Sequence, residues 1–102
     1  MRVIVFFDLP TKSKKQKKLY TQFRRFLLND GYDMLQYSVY SRICQNSDSA
    51  DTHCKRITDI APKKGSVRVM QVTNKQYADM KIITGTQTIQ EKTINHQQLT
   101  LF

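Results

Sequence analysis

The chain has 102 residues, enough for one domain with a single modest core. Lysine and arginine together number 17 against 8 acidic residues, and the resulting net charge of +9 favours a polyanionic partner, nucleic acid before an anionic membrane surface. The longest apolar run near the N-terminus, Val3–Phe7, is too short for a membrane span or a signal peptide. Two cysteines are too few for a disulfide scaffold, so a cytoplasmic location is expected.

The first predicted element is a strand over Arg2–Phe7, because valine, isoleucine and phenylalanine dominate it. Apart from Arg2, its side chains are apolar on both alternating faces. A strand of that kind belongs in the middle of a sheet, with both faces covered. Asp8-Leu9-Pro10 ends it.

A helix is predicted next, since Ser13 and Gln16 match a capping box and Gly31 fits the left-handed position after a helix end. Its apolar stripe consists of Leu19, Tyr20, Phe23, Phe26 and Leu27. Lys14, Lys18 and Arg25 line up on the opposite side of this helix.

Two strands are predicted after this helix, at Tyr32–Gln36 and Ser38–Cys44, followed by a polar loop at Gln45–Asp51. A second helix then runs to Pro62. Its expected inner residues are Ala50, Cys54, Ile57 and either Ile60 or Ala61.

The remaining predictions are a strand over Ser66–Thr73, one helical turn over Asn74–Asp79 and a last strand over Met80–Thr84. After Gly85 the chain becomes polar. Its end, Leu99–Phe102, alternates apolar residues and is expected to dock as a short strand.

This order of elements predicts an α+β, ferredoxin-like βαββαβ domain with an antiparallel sheet over residues 1–85, and a C-terminal extension over 86–102. Both helices cover one face of such a sheet. We therefore expect a second copy to cover the other face of the first strand, giving a homodimer.

Asp8 is the candidate catalytic and metal-binding residue. It lies where the first strand becomes a loop, and its carboxylate could hold Mg²⁺ or Mn²⁺, which polarise phosphodiesters and activate water. The alternative is that Asp8 caps the loop through backbone hydrogen bonds. Because one carboxylate is a poor metal site, the metal hypothesis depends on a twofold axis that brings two copies of Asp8 together.

The candidate nucleic-acid-binding residues are basic and lie in or just before the first helix: Lys12, Lys14, Lys15, Lys18 and Arg25. The alternatives are a solvated helix face and a basic membrane-binding helix. Since no aromatic residues interleave with these charges, the pattern favours contact with the backbone of a duplex.

Two further motifs give only weak indications of a zinc site or of RNA recognition. Cys44, His53 and Cys54 do not match zinc-site spacing, and Cys54 is interpreted as a core residue. Lys63–Val69 is similar to one RNA-recognition motif but lacks the aromatic residues that stack on bases.

Several segments resemble the family of CRISPR-associated protein two, in the version found beside type II systems. They are Val3–Pro10 followed by a basic helix, Gln36–Ser41, Pro62–Gly65 and Thr73–Gln76. Their order and spacing carry the resemblance, which covers most of residues 1–85.

The resemblance implies a ferredoxin-like homodimer and, in some members, metal-dependent cleavage of single-stranded RNA or double-stranded DNA. The family's metal-binding aspartate falls on Asp8. Members commonly carry tyrosine before it, so Phe7 removes a hydroxyl beside the expected metal.

It also implies a role in CRISPR adaptation, in which the dimer bridges two dimers of the integrase, CRISPR-associated protein one, and supports incoming duplex DNA. Leu99–Phe102 would then pack on a neighbouring subunit or on the integrase. The alternative function is a stand-alone endoribonuclease or RNA-binding module of the same fold.

Overall fold

The computed structural model describes residues 1–85, which form four strands and three helices. The strands are β1 (Arg2–Asp8), β2 (Asp33–Gln36), β3 (Val39–Ile43) and β4 (Ser66–Val72), and the helices are α1 (Lys14–Asn29), α2 (Ser47–Ile60) and α3 (Asn74–Ala78). The strands form one sheet in the order β2-β3-β1-β4, and every neighbouring pair is antiparallel. This confirms the predicted α+β, ferredoxin-like architecture.

β1 lies in the middle of the sheet, as its two apolar faces predict. Val5 pairs with Tyr40 of β3 on one side and with Val69 of β4 on the other. Val3 and Val5 are fully buried, and Phe7 of the same face is 5% exposed. The odd-numbered side chains of β1 therefore point into the core.

Both long helices cover this face of the sheet, as predicted. Phe23 and Leu27 of α1 and Ala50 and Ile57 of α2 join the β1 side chains in one buried cluster. Each large apolar side chain buried in this way contributes roughly 1.5–3 kcal/mol of transfer free energy. Leu19 belongs to the predicted stripe of α1, but it is 41% exposed and the prediction of a core position is wrong for it.

Asp30, which follows α1, joins three elements of the core layer. Its carboxylate accepts hydrogen bonds from His53 Nδ1 at 2.8 Å and from an Arg56 terminal nitrogen at 2.9 Å. Its carbonyl oxygen accepts a hydrogen bond from Arg42 Nε at 2.6 Å. His53 is therefore a structural residue, and Cys54 packs at the margin of the core while remaining only partly buried.

The opposite face of the sheet is covered at one end only. Arg2 is 3% exposed, and its guanidinium lies 3.8 Å from the centre of the Tyr77 ring of α3. Toward the Asp8 end, Phe6 is 37% exposed, and Met70, level with Ile4 in the middle of the sheet, is 47% exposed. The expectation that a second copy must cover this whole face is thus wrong for the Arg2 end, because α3 covers it.

The predicted start of the second helix is also wrong. The polar segment after β3 is not all loop: α2 begins at Ser47, because the Asn46 side chain caps it by accepting a hydrogen bond from Ser49 N at 2.9 Å. Of the two alternatives for the inner residue at its end, Ala61 packs against the core, whereas Ile60 is 47% exposed.

The predicted last strand over residues 80–84 is absent. Met80 donates its backbone N–H to the Tyr77 carbonyl at 3.2 Å, so the chain leaves α3 in a turn, and residues 80–85 form no ladder with the sheet. The predictions for 86–102, including the strand over Leu99–Phe102, lie outside the described residues. Between residues 1 and 85 no helix has the length and apolar character that a membrane crossing requires.

Candidate active site at the end of the central strand

Asp8 is the last residue of β1, and its side chain is exposed. It pairs with Ser66, the first residue of β4, at the end of the sheet where the turn before β4 also lies. The ion pairs formed within residues 1–85 are those of Asp30, so no described lysine or arginine neutralises the Asp8 carboxylate. The structure therefore presents this carboxylate to solvent at the end of a rigid central strand.

Gly65 holds the loop before β4 close against Asp8. Its φ is +93°, a conformation that glycine adopts at little cost, and a Cβ at this position would lie 2.5 Å from the carbonyl oxygen of Asp8. Leu9 and Pro10 would each lie 3.1 Å from that Cβ. The sequence predicted a turn at Lys63-Lys64-Gly65 but could not show that it packs on the Asp8 backbone.

Phe7 lies on the opposite side of β1 from the Asp8 carboxylate. Its ring packs edge-on against Phe23, with the ring centres 5.1 Å apart, and stacks on Tyr40 at 5.6 Å. A hydroxyl on residue 7 would enter this aromatic cluster and not the region around Asp8, because successive side chains of a strand alternate between faces. The replacement of the family's tyrosine by Phe7 thus leaves the surroundings of the Asp8 carboxylate unchanged.

The turn between β2 and β3 reaches the same end of the sheet. Phe7 donates its backbone N–H to the carbonyl oxygen of Ser38 at 3.0 Å, one residue before Asp8. Ser38 has a φ of +64°, which costs a residue with a Cβ roughly 1–2 kcal/mol. Its neighbour Tyr37 is 87% exposed. We call the end of the sheet formed by Asp8, the Tyr37-Ser38 turn and the Gly65 turn the Asp8 edge.

Lysines surround the Asp8 edge from two directions. Lys12 lies in the loop after Asp8, and Lys14 and Lys15 begin α1, all three exposed. Ser13 and Gln16 form the predicted capping box, with Gln16 N donating to Ser13 Oγ at 3.1 Å. No acidic residue lies in the first turn, so the positive end of the helix dipole adds to the lysine charges.

Lys63 and Lys64, beside Gly65, are exposed at this same end, and the sequence pattern did not assign them a binding role. Lys18 and Arg25 are also exposed but follow α1 away from it. At a rise of about 1.5 Å per residue, Arg25 lies roughly 16 Å along the helix axis from Lys14. The predicted binding residues therefore form two overlapping sets that share Lys14. One is the Asp8 group, Lys12, Lys14 and Lys15, and the other is a row along the helix, Lys14, Lys18 and Arg25.

Arg24 is fixed by the core, although it flanks the basic row in the sequence. Its Nε donates a hydrogen bond to the Tyr40 hydroxyl at 2.9 Å, and Tyr40 is 1% exposed. Tyr40 also stacks on Phe7, so Arg24 helps to hold β3, β1 and α1 together.

A groove of about 450 Å³ lies between the start of α1 and the loop after α2. Leu9, Leu19 and Pro62 lie on its walls, and Lys15, Lys63 and Lys64 also line it. The groove explains the exposure of Leu19, since the loop after α2 does not reach far enough to cover that side chain.

One chain does not supply a complete metal site in the part that the structure describes. No three His, Cys, Asp or Glu side chains come together within residues 1–85. Asp8 offers a hard oxygen ligand of the kind that Mg²⁺ and Mn²⁺ prefer, but such ions need several ligands. Within the described residues the donor set is thus a single carboxylate, and a second copy would add its own Asp8 to make a pair.

A family model described as CRISPR associated protein Cas2 matches residues 1–80. The chain belongs to the Cas2 family. The match covers the whole sheet, α1 and α2, and so includes every element that forms the Asp8 edge.

Curated Cas2 relatives match over the full length of this chain. A protein of Acidovorax ebreus named CRISPR-associated endoribonuclease Cas2 is 54% identical over 102 residues, which cover 100% of both chains. A Campylobacter jejuni protein of the same name is 45% identical over 102 residues and matches over 71% of its own length.

The crystal structure of Streptococcus pyogenes Cas2 superposes with a TM-score of 0.57. The alignment covers 80% of this chain and 99% of that chain, with 23% sequence identity. At this identity the likeness shows the Cas2 fold and carries no residue roles.

Proposed function

We propose that this chain forms a homodimeric endonuclease that uses Mg²⁺ or Mn²⁺ to hydrolyse RNA phosphodiesters, and that it serves CRISPR adaptation. The exposed Asp8 carboxylate, held at the end of the central strand and surrounded by lysines, is the observation that carries the proposal. The names of the curated relatives, CRISPR-associated endoribonuclease Cas2, support the reaction and the substrate class. The free cysteines Cys44 and Cys54 agree with a cytoplasmic location.

In this proposal two Asp8 carboxylates, one from each copy, hold the divalent ion. The ion, when bound, would polarise the phosphodiester and lower the pKa of a water molecule. Lys12, Lys14, Lys63 and Lys64 neutralise the phosphates on either side, and their number around one site favours a polyanionic substrate over a small molecule. The Gly65 turn packs on the Asp8 backbone and thereby holds the strand end that carries the carboxylate.

The uncovered part of the sheet face opposite α1 and α2 supports the proposed dimer. Phe6 pairs with Arg68 and Ile4 with Met70 in the β1–β4 register, so the exposed Phe6 and Met70 side chains lie on the same face as Asp8, Phe6 two residues before it and Met70 nearer the middle of the sheet. Packing two such faces together removes apolar surface from water and brings the two Asp8 edges near a twofold axis.

A second role, scaffolding of DNA, is favoured by the row of Lys14, Lys18 and Arg25. These exposed side chains follow one line along α1 and fit a run of backbone phosphates. In this role the dimer supports duplex DNA and bridges dimers of the integrase, CRISPR-associated protein one. It requires neither Asp8 nor a metal, so the two roles can be separated by mutation.

The nuclease proposal is tested by Asp8→Asn, which keeps the shape of the side chain and removes its charge. We expect metal-dependent cleavage of labelled single-stranded RNA to be lost, with the mass in light scattering unchanged. Asp33→Asn is the matched control, because Asp33 is also exposed but begins the edge strand β2, level with Ile4 and two strands away from β1. Equal cleavage by wild type and Asp8→Asn would refute the assignment of Asp8.

A further inference from the structure

Tyr37 is the most exposed aromatic side chain between residues 1 and 85, with 87% of its surface open to solvent. The other described tyrosines are buried or partly buried, and they pack in or against the core or against Arg2. The Tyr37 ring therefore contributes nothing to the stability of the domain through packing. Its position in the fold makes it available for binding a ligand.

The turn that carries Tyr37 is held rigidly beside Asp8. Ser38 keeps a left-handed φ of +64° although glycine would adopt it more easily, and its carbonyl oxygen accepts the Phe7 N–H at 3.0 Å. A backbone conformation that is unfavourable for its residue type is often retained where it positions a functional group. Here it fixes Tyr37 at the same sheet end as the exposed carboxylate.

The charges around this ring determine what it can bind. Lys12, Lys14, Lys63 and Lys64 are exposed at the same edge, so a polyanion is attracted to it. An exposed aromatic ring in a positively charged site is the arrangement by which proteins bind single-stranded nucleic acid, since any unpaired base can stack on it. A duplex offers no base face to such a ring except at its ends.

We propose that Tyr37 is a stacking platform for an unpaired nucleobase adjacent to the phosphodiester presented to Asp8. This rests on the proposed nuclease function and narrows its substrate to single-stranded nucleic acid. It also revises the sequence-based expectation of duplex contact at this edge. That expectation followed from the lack of aromatic residues among the lysines along the chain, whereas folding brings Tyr37 in the β2–β3 turn to the same end of the sheet.

The chain contains no tryptophan, which allows a direct test. Tyr37→Trp places a single fluorophore at the turn, and Gln45→Trp places one in the exposed loop after β3, at the opposite end of the sheet. The probe is a short single-stranded oligoadenylate, added in chelator so that it is not cleaved. We expect it to quench the Tyr37→Trp emission but not that of Gln45→Trp. A long RNA duplex at the same nucleotide concentration, in which almost every base is paired and ends are few, should quench neither measurably.

Affinity measurements complete the test. Tyr37→Ala should weaken oligoadenylate binding roughly tenfold, Tyr37→Phe should retain it, and an oligonucleotide of abasic sites should bind both variants equally. An oligoadenylate that binds without quenching Tyr37→Trp would overturn the inference. A Tyr37→Ala variant that keeps full RNA affinity would also overturn the inference, even if that variant no longer binds a protein partner.

The two proposals fail in different ways. If Asp8-dependent cleavage is present but Tyr37→Trp is not quenched, the stacking inference is wrong and the nuclease stands. If quenching occurs but Asp8→Asn cleaves as well as wild type, the nuclease assignment is wrong and Tyr37 still binds a base.

Discussion

At the scale of single residues, the contact between Gly65 and Asp8 controls the shape of the candidate site. A methyl group on residue 65 would meet the Asp8 carbonyl oxygen at 2.5 Å, and a φ of +93° disfavours any side chain. We expect Gly65→Ala to lower the free energy of unfolding by about 2–3 kcal/mol and to reduce RNA cleavage. Gly85→Ala is the control, because Gly85 has a φ of +111° but a methyl group there would meet no described atom beyond its chain neighbours within 4 Å. Urea denaturation that shows equal losses for both variants would contradict the role of the contact.

Tyr32 gives a prediction about pH at the same scale. Burial, and then the nearby Asp30 carboxylate, raise the pKa of Tyr32 above its ordinary value of 10.0. Above that pH the unfolded chain loses the phenolic proton while the folded chain keeps it, so stability falls as pH rises. Tyr32→Phe should remove this part of the alkaline loss, about 1.4 kcal/mol per pH unit.

The same substitution should not harm the protein at neutral pH. The Tyr32 hydroxyl is buried and finds no hydrogen-bond partner among the described residues, so its removal should leave stability unchanged or raise it by roughly 1 kcal/mol. Tyr37→Phe serves as the control, because its hydroxyl is exposed. Parallel stability curves for wild type and Tyr32→Phe from about pH 9 to 11 would show that the proton is not retained.

At the scale of elements, α1 presents a row of positive charge that is separable from the Asp8 edge. Reversing the row with Lys14→Glu, Lys18→Glu and Arg25→Glu should weaken binding to duplex DNA of any sequence. It should also reduce the salt dependence of binding by about one unit of slope for each phosphate that is no longer neutralised. A matched triple variant, Lys55→Glu, Lys75→Glu and Lys81→Glu, makes the same change in net charge elsewhere. Equal DNA affinity for the two variants would show that the row is only a solvated face.

A half-site integration assay extends this comparison to the proposed scaffold role. With the candidate integrase present, the α1 variant should support less integration than the control triple variant. The Asp8→Asn protein should support as much as wild type, since scaffolding does not require the carboxylate.

The elements also show which features a sequence pattern can predict. The alternation and capping signals of β1 and α1 are local, and both elements lie where those signals place them. α2 begins inside a segment that looks like a polar loop, because Ser, Asp and Asn are favoured in caps and first turns as well as in loops. The strand predicted over 80–84 is absent: its residues have strand propensity, but residues 80–85 pair with no strand of the described sheet, because propensity alone does not make a pairing.

The candidate site was predictable only in part, for a related reason. Asp8 and the lysines of α1 follow one another along the chain, so the sequence alone indicated that they lie together. Gly65, Lys63 and Tyr37 come from turns that are distant in sequence, and only the strand register brings them to Asp8. The exposure of Leu19 likewise depends on how far the loop after α2 reaches.

At the scale of the whole molecule, the proposed chemistry needs two chains. Within residues 1–85, Asp8 is a lone hard ligand, and the exposed Phe6 and Met70 side chains lie on the face through which a second copy would bring another. In light scattering we therefore expect twice the 12.0 kDa mass of one chain. Lys18 and Arg25 of the row lie farther along α1, on the helical side of the sheet and away from this interface.

The most direct test is metal-dependent RNA cleavage by mixtures of wild-type and Asp8→Asn chains, after unfolding and refolding together to exchange subunits. If two Asp8 carboxylates hold one ion, only dimers with two wild-type chains are active, and the rate falls with the square of the wild-type fraction. A rate that falls in direct proportion to that fraction, or that persists when every chain is Asp8→Asn, would contradict a shared site at the Asp8 edge.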